Sequence, residues 1–341
     1  MKSRVKHVAI ATKYRHHTEE GGYIRLAHYT HPESIIGIDE HAPPNIFYRR
    51  YKWLYELNLP SNIDFVHVYY AEEYLRFSPL KMKIPVVATF HQPPSLLERE
   101  VLTGDYSGRV GKFTHSICKT RFKKLAGAII LEENQRPVLE KVMSSSKIHL
   151  IPHGIDRGFI IDATGRPRKK KHVLTVGNWQ RDWAAYERIL QIFLLQSPNT
   201  KFALVNRTIE RSWLDKFKQY DNFNFFPNVD DNELRILYEE ASLVYLPLKE
   251  GTANNAVIEA LANGCPVVAT SVFLRPTFSP DCVRLYSELG DGINYIKEWV
   301  NINDDQRKTL QGVCIKNAKK VEWSKVADQT LQVYQSCIEG I

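Results

Sequence analysis

The strongest constraint in this sequence is a rhythm. Apolar runs of strand length alternate with helix-period stretches along most of the chain, as in parallel sheets wrapped by helices. Five such runs fall in the first half: HVAIAT (7–12), DFVHVYY (64–70), PVVATF (85–90), GAIIL (127–131) and KIHLIP (147–152). Five more follow: HVLTVG (172–177), KFALVN (201–206), FNFFP (223–227), SLVYLPL (242–248) and PVVAT (266–270). Helical periodicity fills 183–196 and 231–241, and VEWSKVADQTLQVYQSCIEGI reads as a closing amphipathic helix. Between the two sets lies IIDATGRPRKKKH, which is polar, basic and broken by Gly and Pro. A chain of 341 residues exceeds the usual size of one core. The expected division is a first α/β domain over 1–158, a linker over 159–172, a second α/β domain over 173–322, and a helix over 323–341 packing back on the first domain. The expected fold class is α/β, two doubly wound domains whose parallel sheets face a central cleft.

Composition narrows the classes. Hydrophobic residues are 43% and charged residues 25%, ordinary for a folded protein. No apolar run reaches the length of a membrane-spanning helix, and MKSRVKHVAIATKYRHH reads as a first strand, not a signal peptide. The five cysteines, at 118, 265, 282, 314 and 337, have no CxxC spacing, so reduced, buried thiols in a cytosolic protein are expected, not zinc or a disulfide framework. A net charge of +8 suits an anionic ligand, an anionic membrane or nucleic acid. The basic residues form no stripe interleaved with aromatics, which argues against nucleic acid.

In doubly wound sheets, ligands bind outside the carboxyl ends of the strands. The loops to inspect are therefore 13–22, 91–98, 153–159, 178–182 and 249–255. The last is the most informative. In LPLKEGTANNAVIEALANGCPVVAT a helix should start between Thr252 and Asn255, both good caps. Its free N–H groups and dipole favour phosphate. Gly251 and Ala253 let a ligand approach the backbone. Glu259 lies one turn on, on the face of Asn255, and suits the hydroxyls of a neighbouring sugar. A capped core helix with one exposed glutamate accounts for the same residues, and the stretch alone does not choose. Elsewhere, Gly21 and Gly22 end the first loop and His91 ends a strand. Asp230-Asp231 reads as a helix cap, and no D-x-D motif stands where it would bind a metal.

EGTANNAVIEALANGCPVVAT resembles the C-terminal signature of retaining GT-B glycosyltransferases of family GT4. PVVATFHQPP (85–94), IPHGID (151–156), VLTVG (173–177), FFPNVDDNELRILYEEASLVYLPL (225–248) and VEWSKVADQTLQVY resemble further segments of that family, in its order. The resemblance implies a GT-B fold of two Rossmann-like domains. It implies retaining transfer of a sugar from a nucleoside-diphosphate sugar to an acceptor hydroxyl, in glycan, polysaccharide or glycolipid biosynthesis, without a metal cofactor. The implied partners are a nucleotide-sugar donor and a glycan or lipid-linked acceptor, with no nucleic acid. The catalytic candidates are His91, Glu250 and Arg181. The donor-binding candidates are Gly22, Arg181, Thr252, Ala253, Asn254, Asn255 and Glu259. His153 is expected to be structural, at the junction of the domains.

Two departures matter. The family's paired glutamates are separated by seven residues, whereas eight separate Glu250 from Glu259, so Gly251 stands at the family's position. The family commonly has Arg directly after the glycine of TVG and Lys soon after. Here NWQRDW follows, Asn178 replaces the Arg, and Arg181 is the cation expected on the phosphates. These departures keep two alternatives: a glycosyltransferase-like protein that binds nucleotide without turnover, and a sugar-nucleotide epimerase using Glu19, Glu20 or His91. Finally, Arg109, Lys112, Lys119 and Lys123 would share one side of a helix over 109–127. That face suggests peripheral contact with an anionic membrane, placing a cytoplasmic protein at the inner face.

Overall fold

The computed structural model describes residues 5–13, 22–39, 62–71, 84–99, 122–161, 172–252, 254–272 and 277–339. His16, His17, Glu19, Glu20, Gly21, Ala253, the basic run 166–171 and residues 109–121 of the expected basic face lie outside them. The chain forms two compact units, Met1–Gly154 with Trp323–Ile341, and Ile155–Glu322.

The first unit carries a six-stranded sheet of β1 (His7–Lys13), β2 (Ser34–Asp39), β3 (Phe65–Val68), β4 (Val86–Phe90), β5 (Gly127–Ile130) and β6 (Ile148–Leu150), in the order β2-β1-β3-β4-β5-β6. The second carries β7 (His172–Val176), β8 (Phe202–Val205), β9 (Phe223–Phe226), β10 (Ala241–Leu246), β11 (Val267–Thr270) and β12 (Val283–Tyr286), in the order β12-β11-β10-β7-β8-β9. Every pairing between these strands is parallel. Both units are thus Rossmann-like. The order places a topological switch point between β1 and β3 in one sheet, and between β7 and β10 in the other, where ligands of doubly wound folds bind.

The central strands of the second sheet read as unbroken apolar runs because both of their faces are covered. In β10 all six residues are buried. Leu243 and Tyr245 join one core layer with Tyr186, Ile189 and Phe193 of α1 (Trp183–Gln196). Val244 and Leu246 join the other with α3 (Asn255–Ala262) and with Leu237 and Tyr238 of α2 (Asp231–Glu240). Successive side chains point to opposite faces, so one strand feeds two cores. α2 starts on Asp230, whose carboxylate accepts from Glu233 N while Glu233 reaches back to Asp230 N, a capping box.

The boundary between units falls at Gly154–Ile155, earlier than expected. The start of the expected 159–172 linker belongs to the second unit for an apolar reason: Ile160 is buried, Phe159 and Ile161 pack beside it, and Ile161 N bonds Ala262 O at 3.0 Å. The closing helix α4 (Trp323–Glu339) belongs to the first unit, burying Trp323, Val326, Ala327, Thr330, Val333, Tyr334 and Cys337. Tyr334 Oη lies 2.6 Å from His67 Nδ1 on β3, and His67 Nε2 lies 2.8 Å from Thr89 Oγ1 on β4. Burial holds His67 well below the usual histidine range, so the ring is neutral. Among the described residues no helix is long and apolar enough to cross a membrane, and Cys265, Cys282, Cys314 and Cys337 are buried thiols outside any disulfide.

Candidate functional site

In the second unit, the loops after β7 and β10 meet at the switch point and are stitched together. Arg181 forms an antiparallel bridge with Leu248. Asp182 N donates to Pro247 O at 2.8 Å, and Lys249 N to Gln180 O at 2.9 Å. Thr270 Oγ1 accepts from Leu248 N and donates to Leu248 O. The result is one rigid ledge, on which Glu250, Gly251 and Thr252 follow. Glu250 is half-buried. Thr252 is 5% exposed, yet its hydroxyl has no hydrogen-bond partner among the described residues. An unmet buried hydroxyl costs about 1–3 kcal/mol, so this one marks a place where a ligand group would be favoured.

Helix α3 begins directly after it. Asn254 is the cap, its Oδ1 accepting from Ala256 N at 3.1 Å, and Asn255 is the first helical residue. Ala256, Val257, Ile258, Ala260, Leu261 and Ala262 are buried, which explains the small, apolar character of the helix. The exposed start keeps the positive end of the dipole at the switch point. Glu259 stands one turn in. Its Oε2 accepts a bond from the buried Tyr238 hydroxyl at 2.9 Å. Burial raises the Glu259 carboxyl above the ordinary range, with the Asp231 charge adding to this and the Tyr238 bond opposing it. Tyr238 is pushed well up, by burial first and then by the Glu259 carboxylate, while the Arg181 guanidinium pulls it down. Tyr238 therefore stays a neutral hydroxyl that donates to Glu259.

Arg181, the cation expected on the phosphates, is tied to the main chain around it. It is 6% exposed, and three of its five N–H donors bond main-chain carbonyls of its own segment. Nε and Nη2 donate to Val176 O at 3.1 and 2.5 Å, and Nη1 to Trp179 O at 3.1 Å. Burial lowers it to about 10, which leaves it a cation at neutral pH. It is a buried charge within the ledge, held there by main-chain carbonyls. Asn178, at the family's Arg position, donates to Thr208 Oγ1 at 2.6 Å.

The first unit assembles a second constellation, around His91. Gly22 has φ 71° and ψ −172°, a conformation essentially confined to glycine. It turns the chain into Tyr23, a fully buried side chain. The Tyr23 ring meets His91 edge-on, with centroids 4.9 Å apart, and Tyr70 stacks on His91 at 4.5 Å. Tyr23 N donates to Tyr70 Oη at 3.3 Å. Gly22 and His91, read separately in the sequence, are thus joined through two tyrosines. His153 is buried, 5.7 Å from Tyr23 and 5.0 Å from Trp323 between ring centroids, with Nδ1 2.8 Å from Gly154 O. Its packing within the first unit is structural.

Sequence reading missed Tyr238, Tyr23 and Tyr70. Tyr238 had a signal, as the Tyr of LYEEA in the family-like segment ahead of β10. Tyr23 and Tyr70 had none, because they converge only through the sheet order.

Residues 170–279 match the family Glycosyl transferases group 1. Over 111 residues the chain is 32% identical to D-inositol 3-phosphate glycosyltransferase 1 of Catenulispora acidiphila, a match covering 32% of this chain and 27% of that relative. Two solved structures share the whole fold. Sucrose-phosphate synthase of Thermosynechococcus elongatus superimposes with a TM-score of 0.70 at 15% identity, covering 99% of this chain and 100% of its own. The α,α-trehalose 6-phosphate synthase of Burkholderia multivorans does so with 0.72 at 12% identity, covering 99% of each chain. The chain thus has the GT-B fold of two Rossmann-like units, and residues 170–279 within it are similar to glycosyl transferases group 1.

Proposed function

We propose that this chain is a glycosyltransferase that moves a sugar from a nucleoside-diphosphate sugar to an acceptor hydroxyl with retention of configuration. The observation that carries this reading is the Thr252 hydroxyl, buried and without a hydrogen-bond partner among the described residues, beside the start of α3 at the switch point and within the residues that match the family. The leaving nucleoside diphosphate gains negative charge in the transition state. Donors fixed in advance at Thr252 and the helix start, with the Arg181 charge beneath, stabilise that charge without a metal. Asn254 and Asn255 frame the phosphates. Glu259, aimed by Tyr238, accepts bonds from donor hydroxyls, and Glu250 at the ledge lies beside the reacting sugar. His91 is the first unit's group for the transferred sugar. A glycan or lipid-linked acceptor in polysaccharide or glycolipid synthesis, reached from the cytoplasmic face of an anionic membrane, fits the +8 charge and the basic face read in 109–127.

Binding without turnover is the second reading, favoured by the engagement of Arg181 with its own loop and by the offset of Glu250. One panel tests both. UDP, GDP and ADP, each free and linked to glucose, are screened for thermal stabilisation and for sugar release or transfer. A cognate nucleotide at 100 times its dissociation constant stabilises by about 2.7 kcal/mol. Stabilisation with turnover is the expected result. Stabilisation with no turnover of any bound sugar nucleotide selects the second reading, and no stabilisation by any nucleotide defeats both.

A further inference from the structure

The amide of Gln135 stitches two loops at the carboxyl ends of β4 and β5. Its Nε2 donates to Phe90 O at 2.9 Å and to Gln92 O at 3.0 Å, the carbonyls on either side of His91. Its Oε1 accepts from Leu131 N at 2.8 Å and from Glu132 N at 3.1 Å, just past β5. All four bonding positions of the amide are thus filled, and the side chain is 0% exposed. The Glu132 side chain closes the arrangement by accepting from Gln135 N, a capping box at the short 3-10 turn Glu133–Gln135.

No other amide or carboxylate type does all of this. An apolar side chain leaves two carbonyls and two N–H groups unmet. A carboxylate can satisfy the two N–H groups but repels the two carbonyls. The bonds to Phe90 O and Gln92 O fix the main chain at His91 from both sides, while the Tyr70 face and the Tyr23 edge fix its ring. Main chain and ring are therefore constrained by independent contacts, from β5 and from the β1–β3 switch point. Fixing a backbone alone would stabilise a fold. Fixing the backbone and the ring of a half-buried histidine at a strand end sets the direction in which the imidazole points.

We propose that Gln135 is a positioning residue that, together with Tyr70, holds the His91 imidazole in the orientation used on the transferred sugar. This rests on the glycosyl-transfer reading of His91. The test compares wild type, Gln135→Glu, His91→Ala and the double variant. Turnover is followed with UDP-, GDP- or ADP-glucose, whichever the wild type consumes, and the His91 ring is followed by NMR, assigned by its loss in His91→Ala. Gln135→Glu is expected to lower kcat on the order of 10- to 100-fold, the range a misplaced group costs, with KM for the donor within about threefold. The His91 resonance shifts while other histidine signals stay in place. The double variant is no slower than the slower single variant, because both act through one ring. If Gln135→Glu does not fold, Tyr70→Leu is expected to give the same signature. A lowered melting temperature with unchanged kcat and an unchanged His91 resonance makes Gln135 structural only and overturns the proposal, as does a double variant in which the two losses multiply. If His91→Ala turns over at the wild-type rate while Gln135→Glu still shifts the ring, the hold exists and the role of His91 in transfer is what fails.

Discussion

Glu259→Ala is expected to weaken donor binding and to cut sugar transfer by about 100-fold or more. The carboxylate sits one turn inside α3, and its Oε2 is already aligned by the Tyr238 hydroxyl. A hydrogen bond to a charged group contributes about 1.5–3 kcal/mol, and a sugar presents adjacent hydroxyls that can share one carboxylate. Sites built on such bonds discriminate far more steeply than apolar pockets. The alanine variant also leaves the buried Tyr238 hydroxyl without its acceptor, so part of any loss is stability. Glu259→Gln separates the two effects. It keeps an acceptor for Tyr238 but removes the charge, and should fold like the wild type while binding donor more weakly. Steady-state kinetics and calorimetry on both variants check this. Unchanged donor affinity and rate in Glu259→Ala would remove Glu259 from the site.

Gly154→Ala should be among the most destabilising single-atom changes in the first unit. A Cβ at Gly154 would lie 2.3 Å from Cδ2 and Cε3 of the Trp323 indole, far inside contact distance. The indole cannot swing away freely, being 3% exposed and packed against His153 and Tyr23. Overpacking of this kind costs about 1–3 kcal/mol and sometimes more. The glycine of IPHGID is therefore explained by the approach of α4: the chain leaves the first unit at Gly154 and re-enters it at Trp323. Thermal unfolding should show a fall of several degrees, by the usual ratio of about 2–4 °C per kcal/mol for 150–250 residues. The loss should shrink in a Trp323→Leu background, since the two residues are coupled. An alanine variant that melts with the wild type would show that the indole does not lie over Gly154.

How much was legible follows from how local each signal is. β10 and β7 were read from their apolar runs because both faces are covered, and α2 from its cap at Asp230. β2 and β12 escaped notice, and each lies at the edge of its sheet. Edge strands are covered less and need less apolar sequence: Gly37 interrupts SIIGID, Ile35 is 45% exposed, and Arg284 interrupts VRLY. The start of α3 was legible from Thr252 and Asn254, since caps are short-range. The main-chain engagement of Arg181 was not, because a sequence shows that a cation is present but not that Val176 O and Trp179 O will take three of its donors. The convergence of Tyr23, Tyr70 and His91 was illegible for a related reason. It depends on β3 lying between β1 and β4, a consequence of sheet order that no local pattern carries.

In the proposed function, the ledge at Thr252 and the start of α3 hold a diphosphate. Calorimetric titration of the wild-type protein with the nucleoside, the monophosphate and the diphosphate of one base tests it most directly. For the cognate base, affinity should rise at least about tenfold from nucleoside to diphosphate, the equivalent of 1.4 kcal/mol, and that gain should diminish at high salt. If nucleoside and diphosphate of every base bind equally, or none binds at all, the helix start carries no phosphate and the account is wrong.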